Sequence, residues 1–201
     1  MSFRKEIKFK LTLSEHFKIK NKLLSLGMNT IYPLRKVNSY YFDNKYYKLF
    51  EDSEEGVLPR KKVRIRWYNN EKDFKKETKI SSIEGRFKHV EKLPSIKNDS
   101  QISGLTFFDK YYGLLYPKML VNYEREYYKI DNLRITFDKN INYLFSKLKS
   151  EIFTSDQETV MEVKVPIKCS DDYIKKFIDI PTSRFSKYSR GLLYLKKIIK
   201  F

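Results

Sequence analysis

Residues 61–68 read Lys-Lys-Val-Arg-Ile-Arg-Trp-Tyr, in which cationic and apolar residues alternate from Lys62 to Trp67. Successive side chains of a β-strand point to opposite faces of the sheet. One face of such a strand carries the apolar residues Val63, Ile65 and Trp67. The opposite face carries Lys62, Arg64, Arg66 and Tyr68. Taken alone, this pattern is most often the solvated outer face of a strand, so its weight depends on whether it recurs.

Charged residues two positions apart do recur in most of the strand-like segments. The recurring charges on the predicted polar faces are Glu6, Lys8, Glu77, Lys79, Arg86, Lys88, Arg125, Arg134, Glu162 and Lys164. The alternation predicts strands over 3–13, 37–43, 61–68, 74–80, 86–91, 119–129, 133–138, 141–145 and 159–165. These segments, most of them separated by short turns, predict a mainly β member of the α+β class, as a sandwich or barrel of about eight antiparallel strands.

Helices are predicted at three places around this sheet. The first runs from Ser14, as its cap, to Gly27, with Phe17, Ile19, Leu23, Leu24 and Leu26 mostly on one apolar side. The others are predicted over 170–178 and, as a basic amphipathic helix, over 186–200. Residues 52–56 and Pro59 are predicted to form a polar, loop-like break, and residues 94–113 an irregular or helical segment.

The chain has 201 residues and a formal net charge of +17. This length predicts one domain over residues 1–201. So large a positive charge indicates a polyanionic partner, which is a nucleic acid, an anionic membrane surface or a phosphate-rich small molecule. The alternative is a basic surface without a specific partner.

Several function classes are disfavoured by composition. Cys169 is the single cysteine, which excludes an intramolecular disulfide and a cysteine zinc cluster. His16 and His89 carry no recognisable motif, which argues against a histidine metal site or a Ser-His-Asp triad. The glycines are isolated, so neither a P-loop nor a kinase loop is present. The start of the chain lacks a signal-peptide core and no run of about 18 apolar residues occurs, so a cytoplasmic protein is expected.

If the charged faces line the inside of a barrel, the lumen holds many cations and few carboxylates. Like charges in a confined, partly dehydrated space repel strongly, so such a lumen requires a bound polyanion. Arginine and lysine suit phosphate, and a few carboxylates among them can hold a divalent metal that bridges phosphate oxygens. This chemistry is phosphoryl transfer, in which catalysis is positioning and charge neutralisation.

Taken in order, these motifs resemble the catalytic VTC domain of the vacuolar transporter chaperone polyphosphate polymerases, in the triphosphate tunnel metalloenzyme (CYTH-like) superfamily. The resemblance covers nearly the whole chain and rests on Arg4-Lys5-Glu6-Ile7-Lys8-Phe9, Ser39-Tyr40-Tyr41-Phe42-Asp43, residues 63–68, Glu77-Thr78-Lys79 with Arg86 and Lys88, Tyr123-Glu124-Arg125, Arg134-Ile135-Thr136-Phe137-Asp138, Met161-Glu162-Val163-Lys164 and Phe185-Ser186-Lys187-Tyr188. It implies a closed antiparallel tunnel of about eight strands with flanking helices.

The resemblance also implies an activity and its residues. It implies transfer of the terminal phosphate of ATP onto a growing polyphosphate chain, with Mn²⁺ or Mg²⁺ as cofactor. The implied phosphate ligands are Lys8, Arg64, Arg66, Lys79, Arg86, Lys88, Arg125, Arg134, Lys164 and Lys187, of which Arg64, Arg66, Lys79, Arg125 and Arg134, together with Glu162, are the catalytic candidates. Glu162 would hold the metal, and Glu6 would either join it or orient Lys8.

Two departures from the family pattern bear on the reaction. The superfamily opens with Glu-x-Glu-x-Lys, whereas Arg4 occupies the first of these positions here. One carboxylate fewer is closer to the polymerases than to the hydrolases, which use metal to activate water. The regulatory domain and membrane spans of the eukaryotic polymerases are not recognisable, so coupling to transport would need a membrane-protein partner.

Some residues and functions keep more than one interpretation. Glu77 is expected to pair with cations rather than bind metal, and Asp138 to end a strand, with a role in the lumen as its alternative. Tyr40, Tyr123 and Tyr188 are expected to pack rather than bind ligand. The rival functions are a triphosphatase on the same tunnel, a non-catalytic polyphosphate-binding module and a nucleic-acid-binding protein. No nucleic acid is expected, because the cations recur at strand spacing rather than in loops or on one helix.

Overall fold

The fold is described by a computed structural model for residues 4–147 and 150–199. Its strands are β1 (Arg4–Leu11), β2 (Asn29–Asp43), β3 (Arg60–Tyr68), β4 (Lys75–Ser82), β5 (Gly85–Lys92), β6 (Phe107–Asp109), β7 (Gly113–Ile130), β8 (Leu133–Lys147), β9 (Ser150–Ser155) and β10 (Thr159–Pro166). Its helices are α1 (Leu13–Ser25), α2 (Lys48–Glu55), α3 (Asp171–Lys175) and α4 (Lys187–Ile199), with a 3₁₀ helix at Asp99–Gly104. Phe3 and Lys200, which were included in predicted elements, lie outside the described residues.

The strands form one sheet in the order β1-β10-β8-β7-β2-β3-β4-β5, with β6 paired to β7 and β9 paired to β8. The pairs β1–β10, β10–β8, β2–β3, β3–β4, β4–β5 and β6–β7 are antiparallel. The predicted antiparallel sheet with flanking helices is therefore confirmed, with eight strands along the main order. Closure of the sheet into a tunnel stays a prediction.

The chain divides into two compact units. Unit 1 comprises residues 1–36, 123–141 and 155–185, and unit 2 comprises residues 37–122, 142–154 and 186–201. The long strands β2, β7 and β8 each contribute residues to both units. The single domain expected over residues 1–201 stays a prediction.

Each unit has its own apolar core, built by the predicted alternation. In unit 1, Phe9 and Leu11 of β1 pack with residues of β8, β10, α1 and α3. In unit 2, Val63, Ile65 and Trp67 of β3 pack with Phe42, Leu49, Phe74, Ile96, Ile102 and Leu115. The apolar face of the stretch 61–68 is therefore confirmed as a core face, and the polar face is left for other contacts.

The first helix departs from the prediction at its start and on its apolar side. Thr12, not Ser14, is the N-cap, because Thr12 and Glu15 form a reciprocal capping box. Leu23 is buried and Ile19 packs at the edge of the core, whereas three of the residues predicted on the apolar side are exposed: Phe17, Leu24 and Leu26.

Residues 52–55 belong to α2 and not to a loop, so that prediction is wrong. The N-cap position Tyr47 makes no side-chain capping bond. Asp43 does the capping from the end of β2, since its carboxylate accepts from the backbone N–H groups of Leu49 and Phe50 at 2.9 Å each. Gly56, at φ +78°, ends the helix. A cap contributed from a preceding strand has no local sequence signature.

Further boundaries differ from the prediction, among them the start of β2 at Asn29 rather than at residue 37 and the end of α3 at Lys175 rather than at residue 178. Strand β7 begins at Gly113 and runs through Pro117, and β8 continues from Leu133 to Lys147 as one strand. Asp138 therefore lies inside β8 and does not end it. The segment 94–113 contains the 3₁₀ helix and the short strand β6, and β9 was not predicted. In the described chain no helix is both long and apolar enough to cross a membrane.

Candidate functional site

The polar face of unit 2 is built by the registers of β2, β3, β4 and β5. Tyr41 lies opposite Arg64, which lies opposite Glu77. The next rows along the same face are Ser39–Arg66–Lys75–Lys92 and Lys62–Lys79–Lys88. Residues directly opposite one another in a sheet share a face, so the predicted ligands Arg64, Arg66, Lys79 and Lys88 lie together there. Glu77 is the one carboxylate in these three rows.

Glu77 is the centre of this arrangement. Arg64 donates to Glu77 Oε2 from Nε at 2.7 Å, Arg66 Nη1 lies 3.7 Å from the same oxygen, and Lys88 donates to Oε1. Burial raises the pKa of Glu77, but the charges of Arg64, Arg66 and Lys88 outweigh it and lower the pKa to about 2. The expectation that Glu77 pairs with cations agrees with this geometry. We call Glu77, Arg64, Arg66, Lys88 and Tyr41 the Glu77 cluster.

Tyr41 completes the Glu77 cluster. Its hydroxyl lies 3.0 Å from Arg64 Nη1 and accepts a hydrogen bond from it. Burial raises the pKa of Tyr41, whereas Arg64, Arg66 and Lys187 lower it, to a net value of about 8. The predicted ligand Lys187, in the first turn of α4, therefore acts electrostatically on this cluster. The three cations thus favour the ionised form of this buried phenol.

The start of α4 is held by contacts within unit 2. Tyr188 stacks on Tyr41, with ring centroids 5.1 Å apart, and its hydroxyl donates to Asp43 Oδ2 at 2.7 Å. One residue before the helix, Ser186 Oγ accepts a hydrogen bond from Lys62 Nζ at 2.8 Å. The expectation that Tyr188 packs is in line with its burial. Arg86, by contrast, lies opposite Ser81 and is exposed.

The polar face of unit 1 has a second cluster, on β1, β10, β8 and β7. The register places Lys8–Glu162–Thr136 in one row and Glu6–Lys164–Arg134 in the next. Lys164 Nζ lies 3.0 Å from Glu162 Oε1, and Lys8 Nζ lies 3.9 Å from Oε2. We call Glu162, Glu6, Lys8, Lys164 and Arg125 the Glu162 cluster.

Electrostatics keep Glu162 ionised despite its burial. Burial raises its pKa, but the charges of Lys164, Arg125 and Lys8 and a hydrogen bond with Glu6 hold the pKa well below its usual range. Arg125 donates two hydrogen bonds to the carboxylate of Asp138, from Nε to Oδ1 at 2.5 Å and from Nη2 to Oδ2 at 2.7 Å. Asp138 is only 1% exposed. The fork of Arg125 is thus fixed by a buried carboxylate beside the cluster.

Both clusters have the same construction, in which a buried carboxylate is surrounded by a larger number of cations on one sheet face. A family model of the VTC domain matches residues 3–196, a range that includes both clusters. The chain belongs to the VTC domain family. The resemblance inferred from the ordered motifs is confirmed. No curated protein matches the sequence.

Solved structures share the fold of this VTC domain at low sequence identity. A conserved hypothetical protein from Pyrococcus furiosus has a TM-score of 0.56 and 13% identity, covering 92% of this chain and 99% of its own. A candidate adenylate cyclase from Bacillus halodurans has a TM-score of 0.53 and 14% identity, covering 91% and 95%. A candidate adenylyl cyclase from Hippeastrum with a dominant triphosphatase activity has a TM-score of 0.52 and 14% identity, covering 95% and 96%. These likenesses show the fold alone.

The VTC family implies a divalent metal, and two carboxylates of unit 1 fit one. Glu6 and Glu162 come from neighbouring rows of the same face and lie within hydrogen-bonding reach of each other. The buried hydroxyl of Thr136, opposite Glu162 in the register, makes no hydrogen bond in the described chain. Mg²⁺ and Mn²⁺ favour one or two carboxylates completed by phosphate oxygens. The described residues contain no group of three or more acidic, histidine or cysteine side chains that could bind a metal without the substrate.

Three residues in or beside the Glu77 cluster were not identified by the sequence analysis. Tyr41, Ser39 and Asp43 all lie on β2, where the pattern Ser-Tyr-Tyr-Phe-Asp was read only as part of the family resemblance. Knowing the β2–β3 register would have placed Tyr41 opposite Arg64. Tyr40 and Tyr123 pack, as expected: Tyr40 lies at the edge of the unit 2 core and Tyr123 is 3% exposed.

Proposed function

We propose that this VTC domain is a polyphosphate polymerase that transfers the terminal phosphate of ATP onto a growing polyphosphate chain. The observation that carries the proposal is the excess of cations over carboxylates on the two polar sheet faces. Arg64, Arg66 and Lys88 surround the single carboxylate of Glu77, and Lys8, Lys164 and Arg125 surround Glu162. Cations in such excess are stabilised when an anion with several charged oxygens joins them.

The reaction needs charge neutralisation and alignment more than a protein nucleophile. The bond between the β- and γ-phosphates of ATP breaks, a new bond forms to the terminal oxygen of the acceptor chain, and ADP leaves. Both reactants are polyanions, so their mutual repulsion must be offset. The guanidinium groups of Arg64, Arg66 and Arg134 and the ammonium groups of Lys8, Lys79, Lys88, Lys164 and Lys187 are proposed to do this, each cluster taking phosphate oxygens. Exposed Arg86 is proposed as an outer contact.

Glu162 and Glu6 are proposed to hold one Mn²⁺ or Mg²⁺ ion. When bound, the ion polarises a phosphoryl oxygen and offsets negative charge. Lys164 and Lys8, which contact Glu162, keep the carboxylate ionised and therefore ready for a cation. Arg125, fixed by Asp138, holds its charge close to the same carboxylate.

A triphosphatase is the second candidate, because the transfer of phosphate to water would use the same groups. The triphosphatase activity named for the Hippeastrum protein of the same fold makes this alternative specific. The acceptor distinguishes the two reactions. Arg4 occupies the position at which the superfamily has its first carboxylate. One metal ligand fewer favours the polymerase, since a hydrolase uses its bound metal to activate water. A binding module without turnover would retain the affinity for ATP and form neither polyphosphate nor orthophosphate.

A cytoplasmic location and a membrane-protein partner for transport are part of the polymerase proposal.

The test is incubation of the purified chain with ATP and Mn²⁺, with products resolved on a polyacrylamide gel. The polymerase proposal predicts ADP together with a ladder of polyphosphate. Arg66→Ala and Glu162→Ala should abolish the ladder. The control is Lys18→Ala, at an exposed position of α1, which should form the ladder as wild type does. Free orthophosphate without a ladder would assign the triphosphatase instead. Tight ATP binding without any product would assign the binding module.

A further inference from the structure

A cluster of aromatic and arginine side chains lies in unit 1 beside the residues just assigned to phosphate. Tyr32, near the start of β2, is 45% exposed. It meets the buried Tyr127 edge to face, with ring centroids 5.7 Å apart. The guanidinium carbons of Arg35 and Arg134 lie 5.4 Å and 5.9 Å from the centroid of the Tyr32 ring. Arg35 also lies 5.7 Å from the Tyr127 centroid.

The register connects this group to the Glu162 cluster. Arg134 lies opposite Lys164, which lies opposite Glu6. The neighbouring row on the same face holds Thr136, Glu162 and Lys8. Neighbouring rows on one face are about 6.6 Å apart along a strand. The ring of Tyr32 thus lies next to Arg134, in the row Glu6–Lys164–Arg134 that neighbours the row of Lys8 and Glu162.

Arg134 links the two chemistries. A guanidinium that lies over a ring uses its flat face for that contact, and its N–H donors remain in the plane of the group. In-plane donors are those that bind phosphate in a bidentate manner. Arg134 can therefore bind a phosphate while its guanidinium carbon stays 5.9 Å from the centroid of the Tyr32 ring.

Planar surfaces of this kind suit a nucleobase. Bases stack on tyrosine rings and on arginine guanidinium planes, and stacking is tolerant of base identity. Tyr32, Arg35 and Arg134 offer these planes at a partly exposed position. An inorganic polyphosphate has no group that would use them, whereas a nucleotide has both a base and phosphates.

We propose that Tyr32, Arg35 and Arg134 form a stacking site for the base of a nucleoside triphosphate, whose phosphates extend along Arg134, Lys164 and Lys8. This inference rests on the proposed function, since it names where the donor of that reaction is held. In this proposal the ring of Tyr32 makes the chain bind a nucleotide more tightly than an inorganic polyphosphate with the same number of phosphates.

The test compares two probes that differ only in the nucleoside, ATP and inorganic tripolyphosphate, by calorimetric titration at one ionic strength. Tyr32→Ala is expected to weaken ATP binding about tenfold, the effect of losing one stacked base, and to leave tripolyphosphate binding within twofold. Tyr32→Phe keeps the ring and should behave as wild type. Tyr32→Leu keeps bulk without the ring and replaces the alanine variant if that variant does not fold.

Tyr46 provides the matched control. It is also exposed and carries a cation over its ring, Lys45 at 4.7 Å, but it lies in the turn before α2 in unit 2. Tyr46→Ala should change neither affinity. Arg134→Ala should weaken both probes, because Arg134 contacts phosphate in this proposal.

The outcomes separate this inference from the polymerase proposal. Equal losses for ATP and tripolyphosphate in Tyr32→Ala, or no loss for ATP, would overturn the stacking site. Failure of both probes to bind the wild-type chain would overturn it as well. A selective loss for ATP in a protein that forms no polyphosphate would uphold the base site and refute the polymerase.

Discussion

The hydroxyl of Tyr188 donates a 2.7 Å hydrogen bond to the carboxylate of Asp43. Asp43 is fully buried, and the same carboxylate accepts the backbone N–H groups that begin α2. One side chain at the end of β2 therefore fixes the starts of α2 and α4 together. Burial raises the pKa of Asp43 even though Tyr188 and the backbone donors lower it, so each of these donors matters to the ionised form.

Tyr188→Phe removes only the hydroxyl from this contact. Because a hydrogen bond to a buried charged group is lost, we expect the free energy of unfolding to fall by about 2 kcal/mol. Chemical denaturation monitored by circular dichroism measures the change. Tyr46→Phe, at an exposed ring, is the control and should have no effect. A stability equal to wild type for Tyr188→Phe would show that the bond does not hold α4.

Glu77→Gln should destabilise the chain and raise its response to phosphate. The substitution leaves Arg64, Arg66 and Lys88 without their buried carboxylate, which typically costs about 3–5 kcal/mol. Tripolyphosphate can replace the lost charge, so its addition should raise the melting temperature of the variant more than that of wild type. Scanning calorimetry with and without tripolyphosphate measures both.

The control for this change is Glu91→Gln, on β5. Glu91 is half-exposed in its pair with Lys76, and exposed pairs contribute little. Its stability and its response to tripolyphosphate should match wild type. A smaller response of Glu77→Gln than of wild type would contradict the assignment of the Glu77 cluster to phosphate.

The Glu77 carboxylate should also shape acid stability. Its pKa is about 2 in the folded chain and 4.5 in the reference state. A carboxylate with a lowered folded pKa stabilises the fold fully above pH 4.5, and this contribution is lost as the pH falls towards 2. Between these values wild type should lose stability more steeply than Glu77→Gln. Urea denaturation at pH steps across this window checks the difference in slope, and parallel curves would refute it.

Tyr41 should make phosphate binding weaken in mild alkali. Its pKa of about 8 means that a phenolate forms beside Arg64 as the pH rises past that value. A phenolate pairs with the arginines and repels an incoming anion, so tripolyphosphate affinity should fall above pH 8. In Tyr41→Phe this fall should be absent, and its phenolate absorbance should lack one early-titrating group. Identical pH profiles for the two proteins would contradict the assignment.

Glu162 and Glu6 should both contribute to metal binding. With Mn²⁺ and a non-hydrolysable ATP analogue, Glu162→Gln should lose metal binding by at least tenfold, as measured by paramagnetic relaxation of water. Glu6→Gln should lose less, because one carboxylate remains. Glu158→Gln, which removes the partner of Lys10 at 3.2 Å, serves as the control. Undiminished Mn²⁺ affinity in Glu162→Gln would place the ion elsewhere.

The sequence was most informative where a residue's environment depends on its own strand. Val63, Ile65 and Trp67 were predicted to be core residues from alternation alone, and all three are buried. The polar face opposite them follows from the same period, and so does the pairing of Glu77 with cations. The charged pairs occur along the chain in the same order as in the VTC family, and this order identified them as one set of candidate site residues.

Features that depend on distant contacts were not predictable in this way. Helix α2 is capped by Asp43 and packs Leu49 into the unit 2 core, so its local sequence, rich in acidic residues, resembles a loop. The proposed role of Tyr32 depends on its contacts with Tyr127 and Arg134, which are about a hundred residues away in the chain. Exposed Phe17 and Leu24 show the reverse error, since apolar residues on one helix need not face the core.

The measurement that tests the central claim most directly is phosphorus NMR of the wild-type chain with ATP, Mn²⁺ and a short polyphosphate acceptor. The account predicts that internal phosphate resonances of the chain grow in step with ADP, one phosphate added for each ADP formed, with no accumulation of orthophosphate. Growth of the orthophosphate signal in step with ADP, while the acceptor stays unchanged, would contradict it.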